Sequence, residues 1–179
     1  MVRFLLSAFR RLRYTFMSNE QYAKFIGVKI GGGNFIAGKD HWPSEAYLIT
    51  VGSNCMITAG VKIFTHGGAQ VARRKYPNYD VFGMVEVGDY CYIGTNSLIM
   101  PGVKIGNGSM VAAGSVVTKS VPPNMVVGGN PARILCTVDE YIERNKTFDL
   151  ESKGLSYEQK RTFLLSLPKE RFIRKKEMV

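Results

Sequence analysis

The 179-residue chain is 45% hydrophobic and 21% charged, which gives one ordinary domain with a small appendage and excludes wholesale disorder. Lys and Arg number 24 against 14 Asp and Glu, a net charge of +10 suited to phosphate-bearing cofactors or acidic surfaces. No recognised binding motif accompanies that charge, so nucleic acid is not an expected partner. Three cysteines without a CxxC spacing argue against a disulfide framework or a zinc knuckle, and a reduced, cytoplasmic protein is expected.

Residues 1–25 form a first segment. Leu5, Phe9, Leu12 and Phe16 share one helical face, and Arg10, Arg11 and Arg13 give the segment a basic side. This predicts an amphipathic helix over residues 4–16 that packs on the rest of the protein or, alternatively, makes peripheral membrane contact through residues 1–17. The opening FLLSAF is short for a signal-peptide core, and no run in the chain approaches the about 20 apolar residues that cross a bilayer.

Residues 26–136 carry a period of six. Read in blocks from residue 87, they give VGDYCY, IGTNSL, IMPGVK, IGNGSM, VAAGSV and VTKSVP. An aliphatic residue opens every block (Val87, Ile93, Ile99, Ile105, Val111, Val117), and position five is small or β-branched (Cys91, Ser97, Val103, Ser109, Ser115, Val121). Position two is mostly small, as at Gly88, Gly94, Gly106 and Ala112. The same register runs through Val51, Ile57 and Ile63, with a shorter start at Ile30 and Ile36. Two stretches, near 38–46 and 64–84, break it and are predicted loops.

A helix repeats at 3.6 residues and a half-buried strand at two, so a period of six fits neither. It fits short strands joined by turns, each strand returning one aliphatic residue to a shared interior. Stacked coils then pair backbone to backbone as a parallel β-helix. Cys55 and Cys91 both fall at position five and read as small interior fillers.

Residues 137–179 read as a helical extension. Thr137 with Glu140 predicts a capped helix near 138–145, and Ser156 with Gln159 predicts another that Pro168 stops. The tail FIRKKEMV reads as a solvated basic end.

The run VEVGDYCYIGTNSLIMPGVKIGNGSMVAAGSVVTKSVPPNMVVGGNPARIL resembles the hexapeptide-repeat acetyltransferases, most closely the xenobiotic, galactoside and capsular-polysaccharide O-acetyltransferases. The likeness spans about residues 26–140. It implies an all-β fold, a left-handed parallel β-helix in the form of a triangular prism, flanked by short N- and C-terminal helices. It also implies a homotrimer with active sites between subunits, acetyl-CoA as co-substrate, no metal, and a small-molecule or glycan acceptor. In this family an asparagine of the galactoside type helps hold acceptor and acetyl group; the matching position here is Gly38, so that contact is missing or comes from elsewhere, with Glu45 the candidate.

Acetyl transfer to a hydroxyl needs a base, a held thioester and stabilisation of the oxyanion. Imidazole suits the base because it exchanges protons near neutrality. The chain has two histidines. His66, in FTHGG at a junction of repeat and loop, matches the family's catalytic histidine, and Gly67 and Gly68 beside it suit a backbone oxyanion donor. His41 lies in the other loop and is expected to be a surface or acceptor-side residue. By resemblance, Thr95, Ala113, Thr118, Lys119 and Arg133 contact coenzyme A. Glu45 either faces the acceptor substrate or is a solvated loop residue; Arg73, Arg74 and Lys75 either steer an anion or are solvated. No nucleophile motif is present, which favours direct transfer in a ternary complex with His66 as general base. The alternatives are N-acetylation of an amino sugar, free or nucleotide-linked, and a non-catalytic structural β-helix.

Overall fold

The computed structural model describes residues 14, 16–175 and 177. The amphipathic helix expected over 4–16 therefore falls almost wholly outside the described residues; Phe16, at its end, is an exposed turn residue. Among the described residues, no helix is long and apolar enough to cross a membrane.

The repeat builds three parallel walls that the chain visits in rotation. The first holds β1 (Lys29–Ile30), β3 (Ile49–Val51), β6 (Val85–Val87) and β9 (Lys104–Ile105). The second holds β2 (Phe35–Ile36), β4 (Met56–Ile57), β7 (Tyr92–Ile93), β10 (Met110–Val111) and β12 (Met125–Gly129). The third holds only β5 (Lys62–Ile63), β8 (Leu98–Ile99) and β11 (Val116–Val117). Val87 pairs with Ile105, Ile93 with Val111 and Ile99 with Val117, so one full coil takes eighteen residues, or three hexads. The chain leaves this column after β2 and again after β5, in the two stretches that lack the period of six. An antiparallel strand, β13 (Ala132–Thr137), folds back on β12 at the end of the second wall.

The hexad positions have separate physical duties. Position-one residues from Val51 to Val117 and position-five residues from Cys55 to Val121 are all buried, so two side chains per hexad fill the interior. Each fully buried aliphatic contributes about 1.5–3 kcal/mol. The polar fillers are satisfied by carbonyls of adjoining turns. The Cys55 and Cys91 thiols donate to Gly88 O (2.9 Å) and Gly106 O (3.1 Å), and the Ser97 and Ser109 hydroxyls to Ala112 O (2.9 Å) and Pro122 O (2.8 Å). Burial without those acceptors would cost free energy at every coil.

Position four makes the corner. Asn54, Gly60, Tyr90, Asn96, Gly102, Gly108 and Gly114 all take positive φ between 55° and 80°, the left-handed region that Gly and Asn enter most readily. Position two is small for a different reason, because successive coils touch there. A Cβ on Gly94 would lie 2.5 Å from the amide nitrogen of Ala113 and 2.7 Å from the carbonyl oxygen of Val111.

Helix α1 (Asn19–Phe25) precedes the column with a Ser18–Gln21 capping box and buries Ala23. Residues 139–179 form a compact unit of their own. It contains most of α3 (Val138–Asn145) and then α4 (Tyr157–Ser166), which Ser156 and Gln159 cap reciprocally and which ends before Pro168.

Gly94→Ala is expected to lower stability by about 1–3 kcal/mol, since two backbone segments must part to admit one methyl group. Urea denaturation followed by circular dichroism measures it; an unchanged midpoint would show that the coils can separate freely.

Candidate active site

The two loops expelled from the repeat meet at the third wall. His66 lies three residues past Ile63, at the corner leading from the third wall to the first. The long loop closes at its neck through an antiparallel bridge between His66 and Phe82 and through Gly83 N–H donating to Thr65 O (2.8 Å). Phe82 also packs on the imidazole, with ring centroids 5.4 Å apart. Inside this loop lies α2 (Ala69–Arg73). Arg73 pairs with Asp80 (3.5 Å) and donates to Tyr79 O (3.1 Å), so it folds the loop back on itself, while Arg74 and Lys75 are exposed.

The shorter loop brings Glu45 to His66. Glu45 Oε2 lies 2.8 Å from His66 Nδ1, with side-chain exposures of 20% and 39%. Ser44 Oγ donates to the same carboxylate oxygen at 3.0 Å. A carboxylate only accepts, so the imidazole donates from Nδ1 and keeps the lone pair of Nε2 for another proton. From sequence, Glu45 either faces the acceptor or is a solvated loop residue; its side chain is one-fifth exposed and in contact with the imidazole. Beside the ring, a Cβ at Gly67 or Gly68 would meet nothing within 4 Å, which leaves room for a substrate to approach the backbone.

His41 corrects the expectation of a surface or acceptor-side residue. It is fully buried; its Nδ1 lies 2.8 Å from Val61 O, and its Nε2 accepts from Gly38 N–H at 3.1 Å. Gly38, which stands where the galactoside type has its asparagine, thus spends its N–H on a buried ring. Asp40 beside it is paired with Lys62 (2.5 Å), whose ammonium holds the Asp40 carboxyl below the ordinary carboxylate range.

Lys119 and Arg133 come together. They line one cavity of about 350 Å³ with apolar walls from Val121, Pro122, Ala132 and Ile134. Lys119 lies on the same corner as His66, two coils further along, which is roughly 10 Å at the usual strand spacing. Thr118 is exposed beside it. Thr95 and Ala113 stand elsewhere, on the corner between the second and third walls, where Thr95 Oγ1 donates to Thr58 Oγ1 (3.2 Å) and Thr95 O accepts from Gly114 N–H (2.8 Å). One chain does not bring these two residues to the edge that bears His66. Among the described residues, no group of three or more His, Cys, Asp or Glu is gathered as a metal site would be.

The signature of the bacterial transferase hexapeptide, six repeats long, matches residues 84–119. Protein CapG of Staphylococcus aureus is 40% identical over 155 residues, which span 85% of this chain and 90% of CapG. Galactoside O-acetyltransferase of Escherichia coli K12 is 33% identical over 61% of this chain and 54% of its own length. The crystal structure of the hexapeptide-repeat acetyltransferase VCA0836 from Vibrio cholerae superposes with a TM-score of 0.52 at 32% identity, over 63% of each chain. A galactoside acetyltransferase crystallised with coenzyme A shares the fold at a TM-score of 0.51 and 21% identity, over 69% of this chain and 71% of that one. The protein belongs to the hexapeptide-repeat transferase family.

Asp40 is expected to titrate below its ordinary value of 3.8. Because the native value is the lower one, the tie to Lys62 stabilises the loop above the unfolded pKa and is lost as the pH falls through the native pKa. Carboxyl carbon shifts of Asp40 measure this, and Lys62→Met is expected to move the midpoint upward.

Proposed function

We propose that the protein is a cytoplasmic O-acetyltransferase that moves the acetyl group of acetyl-CoA onto a hydroxyl of a sugar or polysaccharide unit. The observation that carries this reading is the 2.8 Å contact between His66 Nδ1 and Glu45 Oε2 at the mouth of two loops. Family membership and relatives named as acetyltransferases support an acyltransferase. The galactoside enzymes among them favour a sugar hydroxyl as acceptor.

His66 Nε2 removes the hydroxyl proton as the acceptor oxygen attacks the thioester carbonyl. Glu45 holds the ring in the required tautomer and stabilises the imidazolium that forms. The carbon–sulfur bond then breaks, the acetyl ester is released, and the sulfur of coenzyme A takes the proton back from His66. The open backbone at Gly67 and Gly68 supplies an N–H for the oxyanion. Lys119 and Arg133 meet the phosphate end of coenzyme A across their shared cavity, with Thr118 beside them.

Thr95 and Ala113 belong to the coenzyme site through a neighbouring subunit. The column winds left-handed and assembles as a trimer, so that one chain's corner between second and third walls faces another chain's His66 edge. The outer face of the second wall supports self-association. Phe35, Met56 and Tyr92 stack there in register with exposures of 56%, 42% and 36%, whereas the matching column of the first wall is Lys29, Thr50, Glu86 and Lys104. An apolar stripe of this kind marks an interaction surface.

Purified protein with labelled acetyl-CoA and a panel of sugar acceptors tests the reaction. An ester labile to mild alkali is expected, with transfer about a hundredfold lower or less in His66→Ala and a raised KM for acetyl-CoA in Lys119→Ala and Arg133→Ala. Undiminished transfer by His66→Ala would overturn the reading, and an alkali-stable product would assign an amine as acceptor. For the assembly, Met56→Asp combined with Tyr92→Asp is expected to sediment as a 19.9 kDa monomer where the unaltered protein sediments as a trimer.

A further inference from the structure

The first coil is incomplete. Walls one and two begin with β1 and β2, but wall three begins only at β5, so β5 presents an open backbone edge to the first coil. Such an edge has unpaired N–H and C=O groups that need partners. The loop after β2 supplies two of them: Val61 O accepts from the His41 ring, and Ile63 N–H donates to His41 O (2.9 Å). Between them the side-chain ammonium of Lys62 donates to Asp40 O (2.7 Å) and ties the same loop down.

The imidazole is the centre of this brace. Gly38 N–H donates to Nε2, so the proton sits on Nδ1 and goes to Val61 O. Both nitrogens are occupied in one neutral tautomer, inside a fully buried side chain that has no route to substrate. From His41 the chain has little slack before Glu45. Trp42 packs on the core and lies edge-on to the His41 ring, Pro43 fixes its own φ, and Ala46 is buried just beyond. Glu45 is therefore suspended between two buried anchors.

We propose that His41 is a positioning residue for the Glu45–His66 pair: it substitutes for the missing strand of the third wall and thereby sets the carboxylate at hydrogen-bonding distance from the catalytic imidazole. The proposal rests on the acetyl-transfer reading for its kinetic consequence, though not for its structural one. A displacement of Glu45 by an ångström breaks the Nδ1 contact and frees the His66 ring to change tautomer, and misplacements of that size cost up to about a hundredfold in rate.

The test uses the full-length protein and two variants. His41→Phe fills the volume but offers no hydrogen bond, and His41→Asn retains a donor for Val61 O. Nitrogen-15 spectra report the His66 tautomer directly, and with only two histidines in the chain, His41→Phe leaves a single imidazole to assign. The expected result is loss of the protonated Nδ1 signal of His66 in His41→Phe and its partial retention in His41→Asn. With it, kcat falls about tenfold while the KM for acetyl-CoA is unchanged. In a Glu45→Gln background, His41→Phe is expected to cost nothing more.

A folded His41→Phe protein with the wild-type His66 signal overturns the proposal, whatever its kcat. If His41→Phe does not fold, His41→Asn decides by the same signal. If the unaltered protein acetylates no acceptor, the proposed function fails, while the tautomer measurement still decides whether His41 positions the pair.

Discussion

A backbone ladder between successive coils underlies every other feature of the molecule. Each two-residue strand is too short to persist alone, and it is held because the coil above accepts what the coil below donates. Those ladders form only where coils approach to ordinary strand spacing, which explains why position two is so often glycine and why Gly94 faces the Ala113 amide directly. The same closeness leaves an interior two side chains wide per hexad, which an aliphatic and a small residue occupy. Polar fillers are admitted because neighbouring turns expose carbonyls to them, as at Ser97 and Cys55.

A regular column offers no chemistry of its own. Its walls repeat, its interior is closed, and its turns are short. Polar side chains gather where the repeat is broken, and here both breaks open on the third wall. The first replaces a strand and carries Glu45; the second follows β5 and starts with His66. Because the column fixes the two loop bases in register, a carboxylate and an imidazole twenty-one residues apart in sequence meet at 2.8 Å. At the first break the buried His41 meets Val61 O with its ring and Ile63 N–H with its carbonyl, two groups that would carry a penalty if left unpaired.

Charge and apolarity are sorted by wall in a way that composition conceals. The outer face of the first wall is ionic, with Lys104 and Glu86 paired at 2.9 Å, whereas the second presents Phe35, Met56 and Tyr92 in one column. In the sequence these residues share the sixth place of their hexads and look equivalent. Only the assignment of each hexad to a wall separates them.

The period of six was legible in the chain because position one must be aliphatic in every coil, and that requirement leaves a trace from Val51 to Ile63 and again from Val87 to Val117. The loops were legible as its interruptions, and the helices at 138–145 and 157–166 as capping patterns. The corner residues were equally visible, since Asn or Gly recurs at the fourth place, but the turn had to be seen before that recurrence acquired a meaning. The partner of His66 left no such trace. Glu45 and His41 lie in a loop without period, and side-chain meetings across a fold depend on distances that no local pattern encodes. The amino-acid order thus determined the column and the points where it breaks, because those follow from repetition. Three-dimensional packing alone decided that one histidine is sealed inside as a brace while the other stands half-buried against a carboxylate, because burial is set by neighbours remote in the chain.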